Sequence, residues 1–182
     1  MPATARTPRS SWIEEGLRAL ATGGPDAVRV EALARALGVT KGGFYGYFTD
    51  RTHLLGEMLD AWERRSVDDV IAQVTAESGQ PLTRARRAAD LTFSPALLPV
   101  DLAVRDWSRR DPTVAARLRR VDNARMEFLR DQFRSTIRDP DELEARCLLA
   151  FCAAVADDLI AVDHPLRSRE EVMDRAARVL FD

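Results

Sequence analysis

The chain has 182 residues, a formal net charge of −2 and a hydrophobic content of 46%, so it can bury a substantial core. No apolar run approaches the roughly 20 residues that span a bilayer, and residues 1–11 lack the apolar segment of a signal peptide. Only two cysteines occur, which disfavours a disulfide-rich secreted scaffold. We therefore expect a cytoplasmic protein that does not enter the membrane.

Charge is distributed unevenly along the chain. The first 51 residues carry seven basic and five acidic side chains, whereas the remainder carries an acidic excess. Lys41 is the only lysine. A weakly basic N-terminal segment followed by an acidic body favours a small, specific contact with DNA over general nucleic-acid binding. We expect the affinity of such a contact to depend on a dimer.

Nearly every segment has the pattern of an α-helix. Residues 1–10 are predicted to form a disordered arm. Ser11 and Glu14 form a capping box, which predicts that the first helix begins at Ser11 and ends at Gly23-Gly24. This helix is expected to pack beneath the two that follow it.

Residues 30–48 predict two short helices joined by a turn. Apolar residues at 30, 33, 34 and 37 have the spacing of one helical face. Gly38 is expected to end this helix with a positive φ, and Thr40 to cap the next helix through its hydroxyl. Helix, glycine turn and helix are typical of the helix-turn-helix motif, whose second helix enters the major groove.

The second helix has two different faces. Phe44 and Phe48 share one face at about 100° per residue. The opposite face carries glycines flanked by tyrosines: Gly42, Gly43, Gly46, Tyr45 and Tyr47. Glycine within a helix costs about 1 kcal/mol relative to alanine, so three on one face suggest that something approaches the backbone closely. A DNA groove is one possibility, with the tyrosine hydroxyls reaching phosphates; a glycine-rich surface turn is the alternative.

This segment resembles the TetR (tetracycline-repressor) family of bacterial regulators, from about Trp12 to Trp62. The matching positions are Thr40, Lys41, Gly42, Phe44, Tyr45, Gly46, Tyr47 and Phe48, followed by Arg51 and Leu54-Leu55. Gly43 and Gly46 depart from the family, since members commonly have a base-contacting side chain there, and Arg29 replaces the usual small polar cap.

The resemblance implies an all-α fold with a three-helix DNA-binding domain at residues 1–51 and a helical effector-binding and dimerisation domain at 52–182. The candidate DNA-binding residues are Thr40, Lys41, Gly42, Gly43, Tyr45, Gly46, Tyr47, Arg51 and Arg29.

Turn and cap signals divide the remaining chain into further helices. Asp50 is expected to cap a fourth helix that continues to Gly79. Asp111-Pro112 and Asp139-Pro140 each place a capping Asp before a proline at the first helical position, and Ser168 with Glu171 forms a second capping box. Helices are predicted near 82–93, 97–110, 112–138, 141–162 and 168–181, giving about nine in all.

The predicted helix at 141–162 is apolar on every side from Cys147 to Val155. Both of its cysteines are interpreted as small buried hydrophobic residues. A helix with this pattern is buried all round, which in so small a body indicates a second subunit; a central helix in a monomer is the alternative. The resemblance also implies dimerisation through the last two long helices. The predicted interface residues are Leu148, Phe151, Cys152, Val155, Leu159, Val172, Ala176 and Val179.

No catalytic set is evident. The two histidines are far apart, and no metal-ligand spacing, nucleotide-binding loop or nucleophile motif occurs. We therefore expect neither an enzyme nor a bound cofactor or metal. Aromatic and apolar residues on several helices favour a small, mostly apolar effector. One carboxylate of Asp157-Asp158 could hydrogen-bond to it. The candidate effector-binding residues are Trp62, Phe93, Trp107, Met126, Phe128 and Asp157.

These observations favour a homodimeric transcriptional regulator that binds a near-palindromic DNA operator. They favour a repressor over an activator. The effector would release it from the operator. The alternative is a helical ligand-binding or enzymatic protein that has lost DNA binding, a possibility that Gly43 and Gly46 leave open.

Overall fold

The computed structural model describes residues 7–157 and 159–181, and within these ranges it contains only helices, turns and irregular segments. The α-helices are α1 (Arg9–Gly23), α2 (Val30–Ala36), α3 (Lys41–Phe44), α4 (Arg51–Glu63), α5 (Asp69–Ala76), α6 (Pro81–Thr92), α7 (Leu98–Ser108), α8 (Pro112–Phe133), α9 (Pro140–Ala156) and α10 (Arg169–Phe181). A π-helical segment, Arg64–Asp68, joins α4 to α5 without a break. The predicted all-α fold is confirmed.

Most of the predicted helix starts are confirmed, because a cap depends on residues close in sequence. The Asp50 carboxylate accepts the His53 N–H at 2.8 Å, and the Asp111 carboxylate accepts the Thr113 N–H at 2.9 Å. Asp139 accepts the N–H of Asp141 at 2.9 Å. In the box at α10, the Ser168 N–H donates to Glu171, and Glu171 N–H donates back to the Ser168 hydroxyl at 3.1 Å.

Two predicted caps are wrong. Helix α1 begins at Arg9, with Pro8 at the N-cap position, so Ser11 lies inside the helix and forms no capping box. The last two residues of the expected arm are therefore helical, whereas residues 1–6 lie outside the described part of the chain. Thr40 does occupy the N-cap of α3, but its side chain makes no capping hydrogen bond there.

The C-terminal prediction also needs correction. Helix α9 ends at Ala156, six residues before the predicted end. Cys147 is buried, but Cys152 is exposed in the single chain, contrary to the expectation that both are buried. Asp158 lies outside the described residues.

Among the described residues, no helix is both long and apolar enough to cross a membrane.

The chain folds into two compact units. The first comprises the described residues up to 68 together with 95–120. In this unit α1 packs against α2, α4 and α7, and its core includes the fully buried Trp12, Phe44, Met58 and Val104. Since this division reflects packing, the predicted boundary at residue 51 between DNA-binding and effector domains stays a prediction.

The second unit comprises residues 69–94 and the described residues from 121 onward. Helix α5 packs against α6, and α9 packs against α10. Its core contains Met126, Phe133, Cys147 and Phe181. The rings of Phe133 and Phe181 stack with their centroids 3.7 Å apart, which anchors the end of α10 to α8.

Candidate nucleic-acid interface

The turn between α2 and α3 has the geometry that the sequence predicts. Gly38 adopts a φ of +67°, which side chains with a Cβ rarely adopt. Its N–H donates to the Arg35 carbonyl at 3.1 Å, and the Val39 N–H donates to the Ala34 carbonyl at 2.9 Å. These two bonds form a Schellman motif, which ends α2 sharply and directs the chain into α3.

An aromatic cluster supports α3 from below. Phe44 and Phe48 are buried and stacked with their ring centroids 5.1 Å apart. Trp12 of α1 meets the Phe44 ring edge-on at 5.5 Å. Although regular α-helix ends at Phe44, the Phe48 N–H still donates to the Phe44 carbonyl at 3.1 Å. The chain therefore continues for another helical turn, and the predicted shared face of the two phenylalanines is confirmed.

The side of this segment away from the aromatic cluster presents backbone to solvent. Gly42 and Gly46 are exposed, and Tyr45 retains 55% of its accessible surface. Gly43 is half-buried above Trp12, where an added Cβ would lie 3.8 Å from the indole ring. Tyr47 is half-buried, with its ring 6.4 Å from that of Phe48. A flat surface of this kind suits close approach of a groove and offers few side chains to read bases.

Lys41 is engaged within the protein. Its ammonium, at the start of α3, donates a hydrogen bond to the carboxylate of Glu31 on α2. This bond lowers the pKa of Glu31 and raises the pKa of Lys41, so each partner favours the charged form of the other. The sequence reasoning missed Glu31, because a partner ten residues away on another helix follows no local spacing rule.

Arg51 and Arg29 both bind the backbone of the turn that precedes α2. The Arg51 guanidinium donates to the Val28 carbonyl at 2.6 Å and also to the carbonyl of Pro25. The Arg29 Nε donates to the Asp26 carbonyl at 3.0 Å. Arg51 thus ties the first turn of α4 to the chain in front of the motif. A role for either arginine in DNA binding stays a prediction.

A second cluster, missed from sequence, lies at the end of the motif. Arg9 forms an ion pair with Glu57 at 2.8 Å, and its guanidinium carbon lies 5.3 Å from the centroid of the Phe48 ring. His53 meets the same ring edge-on at 5.6 Å, and its Nε2 lies 3.6 Å from the Glu57 carboxylate. The sequence predicts that Arg9 belongs to a disordered arm. Its contact with Phe48 depends on the tertiary structure, so local sequence signals do not reveal it.

The candidate effector residues are divided between the two units. In the first unit, Trp62 and Trp107 are both buried. Trp62 is the penultimate residue of α4, two residues before the π-helical segment begins at Arg64. Its indole N–H has no hydrogen-bond partner among the described residues, and neither does the buried hydroxyl of Ser66 within the π-helical segment.

In the second unit, three of the remaining candidates already have partners. The Arg125 guanidinium lies over the Phe93 ring, 5.7 Å from its centroid. Met126 belongs to the hydrophobic core, and the Asp157 carboxylate accepts a hydrogen bond from Arg169 at 2.6 Å. Phe128 is half-buried. The effector site stays a prediction, and one oxygen of the Asp157 carboxylate is already bonded to Arg169.

The predicted interface residues lie on α9, on α10 and in the segment between them. In the single chain Leu148 is 50%, Leu159 60% and Val179 69% exposed. Cys152 is exposed, and the remaining residues are half-buried: Phe151, Val155, Val172 and Ala176. These side chains leave apolar surface uncovered by the chain itself.

Comparison with known proteins finds a family match for the part of the chain that contains the motif. Residues 13–58 match the model of the tetR family of bacterial regulatory proteins. Comparison with curated proteins gives no significant match.

Solved structures that resemble the chain cover nearly all of it. A transcriptional regulator from Rhodococcus sp. Rha1 has a TM-score of 0.71 at 17% identity, covering 96% of this chain and 94% of that one. The TetR-family regulator PfmR from Thermus thermophilus has a TM-score of 0.66 at 19% identity, covering 93% and 96%. AibR, solved with isovaleryl coenzyme A and operator DNA, has a TM-score of 0.65 at 16% identity, covering 94% and 97%.

These structures share the fold, and the family match covers the segment that contains the helix-turn-helix. The α2–α3 motif, its aromatic support and the family match therefore identify residues 13–58 as a DNA-binding segment of the tetR family of bacterial regulatory proteins, and the solved structures show that the chain as a whole shares the fold of such regulators.

Proposed function

We propose that this chain is a TetR-family transcriptional regulator that acts as a cytoplasmic, homodimeric repressor. Each subunit places α3 and the turn after it in the major groove of a near-palindromic operator. A small, mostly apolar effector binds the helical body and releases the dimer from DNA. In this proposal the dimer binds the operator without a cofactor and catalyses no reaction.

The observation that carries the DNA-binding part of this proposal is the exposed glycine surface on an aromatic support. Gly42 and Gly46 leave the backbone accessible, while Trp12 beneath Phe44 holds the segment in place. Lys41 and Tyr45 border this surface and can reach phosphates. Because phosphate contacts position a protein without reading sequence, shape and backbone contacts would carry much of the recognition.

Dimerisation is supported by the apolar surface of α9 and α10. Leu148 and Val179 are large apolar side chains left half-exposed or more in the single chain. A contiguous apolar surface on a protein of this size marks an interaction site. A two-fold contact through it would use the same residues on both subunits. The two motifs would then meet DNA about 34–36 Å apart, one helical turn.

Release by an effector is supported by the way α4 is anchored. Arg51 ties its first turn to the chain immediately before α2 of the motif, and the buried Trp62 lies near its other end. Arg117 of α8 donates hydrogen bonds to two carboxylates of α4, Asp60 at 2.6 Å and Glu63 at 2.9 Å. An effector that contacts Trp62 and prefers one position of α4 would therefore act on the motif through a single helix.

The structure of AibR with isovaleryl coenzyme A and operator DNA offers a precedent within this fold. We propose that Trp62 and Trp107, which are both buried in the first unit, contribute to the effector site. Their apolar and aromatic character favours an apolar ligand.

DNA binding is tested with the DNA that flanks the gene, labelled for fluorescence anisotropy. The wild-type dimer should bind it and prefer it to a shuffled duplex. Lys41→Ala should weaken binding to both duplexes about equally and reduce the salt slope by roughly one unit. Arg110→Ala is the matched control, because Arg110 also pairs with one exposed carboxylate but lies on the turn after α7. A Lys41 variant that changes the preferred base without changing the salt slope would contradict a phosphate role.

Effector release is tested through the three tryptophans. A library of small apolar compounds is screened for quenching of Trp62 or Trp107 fluorescence, and short-chain acyl-CoA thioesters are screened as a separate, anionic set. Trp12, which lies against Phe44, should respond to operator DNA instead. Coupling energies typical of allostery would weaken operator binding about 5- to 150-fold, and the operator must weaken ligand binding by the same factor. Equal ligand affinity with and without operator would exclude this mode of release.

A further inference from the structure

Glu31 places a negative charge at the predicted DNA surface. It lies on α2, is largely exposed, and its carboxylate accepts the hydrogen bond of Lys41. The two side chains retain 62% and 49% of their accessible surface, so both are open to solvent and to DNA. Glu31 is ionised at neutral pH, and the hydrogen bond from Lys41 lowers its pKa further.

The pairing matters because Lys41 is the only lysine in the chain, and two arginines close to the motif are engaged within the protein as well. Arg51 donates to two backbone carbonyls, and Arg9 is paired with Glu57. The Lys41 ammonium has three N–H donors and gives one to Glu31, so a phosphate at Lys41 either displaces the carboxylate or shares the ammonium with it. In both cases the carboxylate lies beside the phosphate backbone, where two like charges repel each other.

We propose that Glu31 is an affinity-limiting residue of the DNA interface that competes with DNA phosphate for Lys41. This inference rests on the proposed position of Lys41 at a phosphate. Competition of this kind is electrostatic and independent of base sequence, so it lowers the affinity for all DNA by about the same factor. It holds the operator complex in a range from which a modest effector coupling can release it.

The salt dependence of binding should carry the signature of this competition. When Lys41 binds a phosphate, condensed cations leave the DNA. The freed Glu31 attracts a cation in return, which offsets part of that release. Removing the carboxylate should therefore tighten binding and steepen its dependence on salt.

The test uses the full-length dimer and fluorescence anisotropy on the gene-flanking duplex and a shuffled duplex, from about 50 to 200 mM KCl. Glu31→Gln should bind both duplexes about 2- to 30-fold more tightly, as expected for two exposed charge contacts per dimer. Its salt slope should be steeper by less than about one unit per subunit. Asp106→Asn is the matched control. Asp106 on α7 is also an exposed carboxylate paired with an arginine, Arg110, and its substitution removes the same charge at a position outside the motif.

A double variant separates competition for Lys41 from simple repulsion. In a Lys41→Ala background, Glu31→Gln should gain less affinity than in the wild type, because no lysine is left to release. An equal gain in both backgrounds, or a Glu31→Gln variant that behaves like Asp106→Asn, would overturn the competition. Weaker binding of the flanking duplex alone, with a changed base preference, would overturn it as well and make Glu31 a base reader. If wild-type protein bound neither duplex, the proposed operator function would fail together with this inference.

Discussion

The aromatic cluster beneath α3 and the surface of α9 are both rich in large apolar side chains, but they differ in how much of that apolar area is exposed to solvent. Trp12, Phe44 and Phe48 are almost completely buried by neighbours from the same unit. On α9, Leu148 and Leu149 remain half-exposed or more, and Cys152 is exposed. The two regions have similar hydrophobic character and opposite accessibility.

This difference indicates which part of the molecule is complete by itself. The aromatic cluster needs no partner, so damage to it should affect folding of the motif. The described residues leave the apolar surface of α9 and α10 uncovered, so damage to it should affect assembly of the proposed dimer and leave folding of the subunit intact. The following substitutions separate these two outcomes, beginning with the largest expected effect.

Trp12→Ala should destabilise the protein by about 3–5 kcal/mol, because it removes a large side chain from a fully buried site. Urea unfolding followed by circular dichroism measures the loss. DNA binding should disappear at the same time, since the indole ring contacts Phe44. Tyr45→Ala, an exposed aromatic residue of the same motif, should change stability by no more than about 0.5 kcal/mol. Similar losses for both variants would mean that the motif does not depend on its aromatic support.

Leu148→Arg should dissociate the proposed dimer, because it places an unpaired charge in an apolar contact. We expect the dimer dissociation constant to rise at least about 100-fold, as measured by sedimentation velocity. Ala116→Arg adds the same charge at an exposed position on α8 and should leave the dimer intact. Operator affinity should fall with the loss of the dimer, since two motifs no longer bind together.

The two cysteines provide an independent check on that variant. Cys147 is buried, and burial raises the pKa of its thiol, so it should react slowly in every case. Cys152 is exposed in a single chain and should be covered in the dimer. Labelling with a thiol reagent should therefore modify one residue per chain in Leu148→Arg and almost none in the wild type. Rapid labelling of wild-type dimer at Cys152 would place the interface elsewhere.

Gly46→Leu should weaken operator binding at least about tenfold with little change in stability. Gly46 is exposed and its φ is not positive, so we expect a side chain there to leave the fold intact and to block close approach of DNA. Gly79→Leu is the control, because Gly79 is also exposed with an ordinary φ but lies between α5 and α6. Unchanged affinity in Gly46→Leu would show that DNA does not approach this surface.

The smallest effects should come from a matched pair of glycine substitutions. An added Cβ would have open space at both Gly38 and Gly56. At Gly38 the φ of +67° is unfavourable for alanine, so Gly38→Ala should destabilise the protein by about 1 kcal/mol. Gly56 lies within α4, so Gly56→Ala should stabilise it by about 0.5–1 kcal/mol. Thermal unfolding distinguishes the two, and a shift in the same direction for both would contradict this account.

The sequence predicted best those features whose causes lie within a few residues. Asp50, Asp111 and Asp139 cap helices as predicted because each bonds an N–H two or three residues ahead. Ser11 has the same local signal, yet α1 begins two residues earlier. There Arg9 contacts Phe48 and Glu57. A tertiary contact thus accompanies a helix start that differs from the local cap signal.

Sequence by itself determined the all-α fold, the shared face of Phe44 and Phe48 and the positive φ of Gly38, because periodicity and backbone sterics act locally. Tertiary structure alone decided that Lys41 pairs with Glu31 and that Arg51 binds the carbonyls of Pro25 and Val28. A long charged side chain can reach many partners, and the residues that it meets depend on how the helices pack.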